Sequence, residues 1–227
     1  MKKCLLLYLM AILIFFSACS KIADNNSSKH TNTSSHDFSQ ELFVINTSSL
    51  EETNNPLTEN QIKEIFGPLL KKAVGVHETI NNDLAEFDIE EEISFQTEQG
   101  NYSLITDKKI KTIKDIWDYT YSAYTKDAAT RLFSESLNQN GICPRFIEKD
   151  GKLYYNRSGR GYAVTFPIES LQIIKQYKTT IIVSIDYCSY DYEPQKSVFI
   201  MSKTDEGWRM ENSENEAVNY LAKQYIN

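Results

Sequence analysis

The stretch TENQIKEIFGPLLKKAVGVHETI, residues 58–80, decides how the rest of the chain is read. Thr58 followed by Gln61 has the form of a capping box, in which each side chain bonds the other's backbone N–H. Behind it Ile62, Ile65, Phe66, Leu69, Leu70, Ala73, Val74, His77 and Ile80 recur in steps of three and four, which places them on one face of a long helix. Pro68 removes one backbone donor, so a bend is expected there. His77 falls on the apolar stripe, and both a core histidine and a ligand or base remain open for it. The face is amphipathic but not basic, which suits packing against a core better than lying on a membrane.

Toward the C-terminus the texture changes twice. Asp83 to Glu92 reads DLAEFDIEEE; with no glycine for a sharp turn it is not a calcium loop, and it reads as a solvated acidic rim or a patch for a basic partner. A short strand is expected at Tyr102–Thr106. Thr112 then caps a helix through Tyr121, and Thr125 caps another through Leu137, closed by Gly141. From residue 144 the pattern is β. Asp150-Gly151 joins Phe146–Glu148 to Lys152–Tyr155 as a hairpin, and strands follow at 162–166, 171–177, 180–186 and 197–202. Asp205-Glu206-Gly207 turns into Trp208-Arg209-Met210, and Glu214–Ile226 reads as a closing helix. The expected fold class is α+β: N-terminal helices packed on a curved antiparallel β-meander, with a closing C-terminal helix.

Toward the N-terminus, residues 20–56 are dominated by Ser, Thr and Asn with no sustained hydrophobic period, a composition that cannot bury enough apolar area to offset ordering. A flexible linker of this length spans roughly 30–35 Å. His30 and His36 lie in it and read as solvated. Ahead of it, Lys2 and Lys3 precede an apolar run from Cys4 to Phe16, too short to cross a bilayer core of roughly 30 Å. Phe16-Ser17-Ala18-Cys19 resembles the bacterial lipobox, which implies cleavage before Cys19 and acylation of its thiol. The domain reading is therefore 1–18 signal peptide, 19–56 linker and 57–227 a single α+β domain, held at the extracytoplasmic face of the cell membrane by its lipid anchor.

Without Lys2 and Lys3 the chain carries 22 basic against 31 acidic residues, a net charge of −9. That balance argues against nucleic acid, whose phosphates need clustered Lys and Arg. Of the four cysteines, Cys4 leaves with the signal and Cys19 is lipidated, so Cys143 and Cys188 remain. Outside the cytoplasm they form either a disulfide or two buried thiols.

Catalytic signatures are absent from the sequence. It holds no Gly-x-Ser-x-Gly, no His-Glu-x-x-His and no Gly-rich phosphate loop. Cys143 precedes Pro144 rather than a helix start that would activate a thiol. Arg157-Ser-Gly-Arg-Gly161 lacks the lysine of a phosphate loop and reads as a glycine-built hairpin or as a holder of a carboxylate or sugar. No cofactor, metal or catalytic residue is expected.

Several segments together resemble the DL-endopeptidase inhibitor family of the IseA type: YSLITDKKIKTIKD at 102–115, YTKDAATRL at 124–132, FIEKDGKLY at 146–154, Arg160-Gly161, and EGWR at 206–209. The resemblance implies a non-catalytic secreted protein that plugs the cleft of cell-wall D,L-endopeptidases of the NlpC/P60 type. An inhibitor of that kind needs a rigid scaffold and a protruding turn. The turns at 148–152 and 156–161 are the candidates, with Glu148, Asp150, Arg157 and Arg160 as contacts and Tyr154 or Tyr155 as anchor. Acidic residues 86–92 would steer a basic hydrolase toward them. The alternative is a cone-shaped NTF2-like module, whose sign is a deep apolar pocket between sheet and helices.

Overall fold

The 58–80 period folds as one helix, α1 (Glu59–Asn81), in a computed structural model that describes residues 49–81, 86–156, 164–189 and 194–217. The box forms as read: Thr58 N donates to Gln61 Oε1 at 2.9 Å and Gln61 N to Thr58 Oγ1 at 3.4 Å. Ile62, Phe66, Leu69, Leu70, Ala73 and Ile80 are buried, with Val76 added to the stripe and Val74 at its edge. The helix continues through Pro68, whose ring lies on the exposed side. At the far end the Arg145 guanidinium donates to Asn81 O at 2.6 Å, a cation on the carbonyl end of the helix dipole.

Two further helices follow. Thr112 and Asp115 form a full capping box on α2 (Ile113–Tyr121). Thr125 caps α3 (Lys126–Phe133), accepting from Ala128 N. The latter helix stops at Phe133 rather than Leu137; Ser134 is its C-cap, and turns carry the chain on to Leu137.

The fold is α+β with two antiparallel sheets instead of one meander. The first has the order β1-β2-β4-β3: β1 (Ile89–Thr97), β2 (Gly100–Ile105), β4 (Lys152–Asn156) and β3 (Phe146–Lys149). The hairpin at 146–156 pairs back onto β2, with Ser103 opposite Tyr155 and Leu104 opposite Tyr154, and does not run on into the later strands. β1 occupies the acidic stretch read as a rim; Glu90, Glu91 and Glu92 are exposed on it.

In the second sheet β7 (Thr180–Ser189) pairs with β8 (Gln195–Thr204), and β8 with β9 (Gly207–Met210). The other edge of β7 is shared by β5 (Val164–Thr165) and β6 (Gln172–Gln176). Beyond β9 the ladder is extended by a side chain: Asn212 accepts from Ile200 N and donates to Val198 O, both at 2.9 Å. Ser213 and Glu216 then cap a helical turn at 214–217.

One core joins these parts. Ile62, Phe66 and Val76 of α1 meet Phe146, Leu153 and Tyr155 of the first sheet and Val183, Phe199 and Met201 of the second. Residues 51–56, the end of the segment read as linker, form with Leu57 a strap along the β6–β7 turn. Lys178 N donates to Glu51 O at 2.9 Å, Glu52 bridges Tyr177, and Leu57 exchanges two hydrogen bonds with the Gln176 side chain.

The signal at 1–18, Cys19, His30, His36, the linker up to residue 48, Asp83, Arg157, Arg160 and the closing helix beyond 217 lie outside the described residues. Among the described residues no helix is long and apolar enough to cross a membrane.

Candidate binding surface

The Lys149–Lys152 turn is built from its two central residues. Asp150 and Gly151 both have positive φ, 51° and 70°, the requirement of the two-residue turn whose twist matches that of the flanking strands. A Cβ at Gly151 would meet nothing within 4 Å. Glu148, Lys149, Asp150 and Lys152 are all exposed, so the turn presents both charges to solvent.

Its base is braced on three sides. Glu148 Oε1 accepts from Ile113 N at 2.7 Å, placing a carboxylate at the positive end of α2. Glu148 N donates to Gln139 Oε1 at 3.0 Å. Lys149 Nζ sits 4.3 Å from the centre of the Phe95 ring, a cation–π contact.

The two tyrosines expected as exposed anchors are buried. Tyr155 is fully buried in the main core, its ring tilted against Phe146 and edge-on to Phe87, with its hydroxyl donating to Thr79 O at 3.1 Å. Tyr154 points the other way, into a small cluster with Phe95, Tyr102, Leu104 and Ile147, its ring 4.9 Å from that of Phe95. Successive strand residues face opposite sides, and here both sides are covered. The contact residues that remain on this turn are Glu148 and Asp150, joined by Lys149 and Lys152, which the sequence reading did not single out.

Cys143 and Cys188 are free thiols and not a disulfide. Cys143 is exposed and donates to Gln99 O at 3.2 Å, while Cys188 lies opposite Thr165 between β7 and β5. His77 has different neighbours from Cys143: it packs against Phe133, and its Nδ1 lies 2.6 Å from Glu214 Oε1.

His77, Glu78 and Glu214 bring ligand-type atoms within 4.8 Å of one another, all buried. A zinc ion with bonds of about 2.0–2.1 Å holds tetrahedral ligand atoms roughly 3.3 Å apart. The His77–Glu214 approach is closer than that, and the contact ties the helical turn at 214 to α1. Burial pushes the nearby Tyr124 hydroxyl well above its ordinary range, and the Glu214 charge adds to the effect. That hydroxyl stays neutral and donates to Ala73 O at 3.0 Å.

Concavities open elsewhere among the described residues, two of them beside the second sheet. One of about 430 Å³ opens between Tyr121–Asp127 and the β8–β9 hairpin, walled by Asp127, Asp205, Glu211, Lys126 and Arg209. The other, of about 240 Å³, lies under the strap between α1 and the second sheet. No family model matches the chain, and no curated protein matches it.

Proposed function

We propose that this chain is an extracytoplasmic lipoprotein, acylated at Cys19, that binds and inhibits a cell-wall D,L-endopeptidase of the NlpC/P60 type. Its helices and two antiparallel sheets serve as an inert scaffold, and the β3–β4 turn is the part that enters the enzyme's groove. The observation that carries this reading is the turn itself: four exposed residues of mixed charge on a two-residue reversal braced by Ile113, Gln139 and Phe95. A loop fixed before binding loses little conformational freedom on docking, which favours affinity. The acidic edge at Glu90–Glu92 supports steering toward a basic partner.

The cone-shaped binding module is less well supported. Between α1 and the second sheet, the rings of Phe66, Phe166 and Phe199 meet edge to face at 5.4–5.6 Å and fill the middle of the core, and the cavity under the strap, about 240 Å³, lies at its edge.

The test uses the mature chain with Cys19→Ser, added to an NlpC/P60 endopeptidase acting on muropeptides. Stoichiometric protein should slow cleavage, and Lys149→Glu with Lys152→Glu should relieve the inhibition at least tenfold. No slowing at tenfold excess rejects the inhibitor. Separately, an alkyne fatty acid should label the full chain in cells and fail to label Cys19→Ser.

A further inference from the structure

We infer that the cavity beneath the strap is a binding site for a small carboxylate with an apolar body. The sequence places the parts at a distance from one another and the fold brings them together. Leu57 is held as one wall by its two hydrogen bonds to the Gln176 side chain, at 2.9 and 3.0 Å. Ile65, two turns into α1, forms the second wall. Ile181 of β7, with 1 % of its surface exposed, and the half-buried Trp208 of β9 supply the floor and the far side.

These four side chains give the space an apolar side; Thr53, Asn55, Gln176 and Tyr177 line the rest, together with Lys178 and Lys203. Lys178 is matched by Glu51. Lys203 also lines the cavity, and its backbone N–H is fixed to Thr179 O at 2.7 Å. It joins no ion pair among the described residues. A chamber with an apolar side and one exposed, unmatched lysine in its lining suits a ligand of the opposite design, an aliphatic or aromatic tail ending in a carboxylate.

The size sets the class more narrowly. At a liquid share of roughly 30 Å³ per water the space equals about eight waters, which suits a ligand of some eight to ten non-hydrogen atoms. Filling it replaces solvent against Ile181 and Trp208 with carbon, and the carboxylate gains Lys203. Because Leu57 is both a wall of the cavity and part of the strap, occupancy also fastens the strap to the sheet.

The chain has two tryptophans, which makes the test direct. In the mature chain with Cys19→Ser and ¹⁵N label, two indole N–H signals are expected, and Trp117→Phe assigns the one from Trp208. Hexanoate should move the Trp208 signal saturably in the millimolar range, the affinity expected of so small a ligand, and leave that of Trp117 in place. Hexanol should bind at least tenfold more weakly. Lys203→Ala should weaken hexanoate about tenfold and leave hexanol unchanged. A Trp208 shift that stays linear through that range, or hexanol binding as well as hexanoate, overturns the site; so does an unaltered hexanoate affinity in Lys203→Ala.

Discussion

Single side chains in this protein repeatedly take over work that the backbone leaves unfinished. Asn212 stands where the second sheet runs out of strand, and its amide supplies both the acceptor and the donor that Ile200 and Val198 need. Both of those residues are fully buried. Asn212→Ala would leave two buried main-chain groups unpaired, at about 1–3 kcal/mol each before relaxation, so a loss of about 2–3 kcal/mol is expected in urea unfolding. The m-value should not change, because the surface exposed on unfolding does not. Gly100 shows the opposite case, a residue defined by what it lacks: its φ is 144° and an added Cβ would lie 2.4 Å from the Asn156 side chain. None of this is legible in the sequence, since an Asn that completes a ladder and an Asn in a loop read alike. The same limit applies to Tyr154 and Tyr155. Strand alternation correctly sets them on opposite faces, but only the fold reveals that Phe95 covers one face and α1 the other.

At the scale of elements, local chemistry was the readable part. The Thr58, Thr112 and Thr125 caps and the Asp150-Gly151 reversal each depend on residues within four positions, and each forms as the sequence indicates. β1 was hidden because three consecutive glutamates disfavour a strand on their own; pairing with β2 imposes it, and a register shift between Glu90 and Ser94 eases the acidic run along the edge. The run Ile181-Ile182-Val183 is buried throughout, as expected of a strand covered on both faces. Pro68 carries an expected gain. Its ring touches solvent while its missing N–H weakens α1, so Pro68→Ala should raise stability by about 1–2 kcal/mol after allowing for the extra freedom of the unfolded chain. A higher midpoint in thermal unfolding checks it.

The loop and cap ahead of α2 should be acid-sensitive. Asp107 is held below the usual carboxylate range chiefly by the Lys109 N–H, and Asp115 chiefly by the Lys111 N–H with help from Thr112. A carboxyl lowered in the folded state adds stability that is present above its unfolded value near pH 4 and is lost as pH falls through the folded value. Amide exchange at Lys109–Thr112 should therefore speed up below about pH 4, relative to the core strands and after correction for intrinsic rates. Unchanged protection down to about pH 2.5 would contradict the assignment.

For the whole molecule, the question is how two sheets that share no strand behave as one. Both feed one core, and Phe87 fastens the first sheet's side of it: its ring lies 6.1 Å from those of Tyr119, Phe146 and Tyr155, tying that sheet to α2. Phe87→Ala should cost about 3–4 kcal/mol and should still give one cooperative transition, with near- and far-ultraviolet circular dichroism changing together. Two separated transitions would mean that each sheet keeps a core of its own. The split into two sheets escaped the sequence reading because the 146–156 hairpin and the later strands look alike locally. Which neighbour each chooses depends on contacts far apart in the chain, such as Leu104 with Tyr154.

The strap has a mechanical consequence. Tension arriving from the N-terminal side reaches Glu51 and Glu52 before it reaches α1 or the core, and the contacts there lie in series: Glu51 with Lys178, Glu52 with Tyr177, then Leu57 with Gln176. They would give way one after another at low force. Releasing the seven residues 51–57 lengthens the chain by up to about 25 Å while the globule stays intact. In an optical trap this should appear as a small reversible extension preceding the main rupture, a shock absorber placed between the load and the fold.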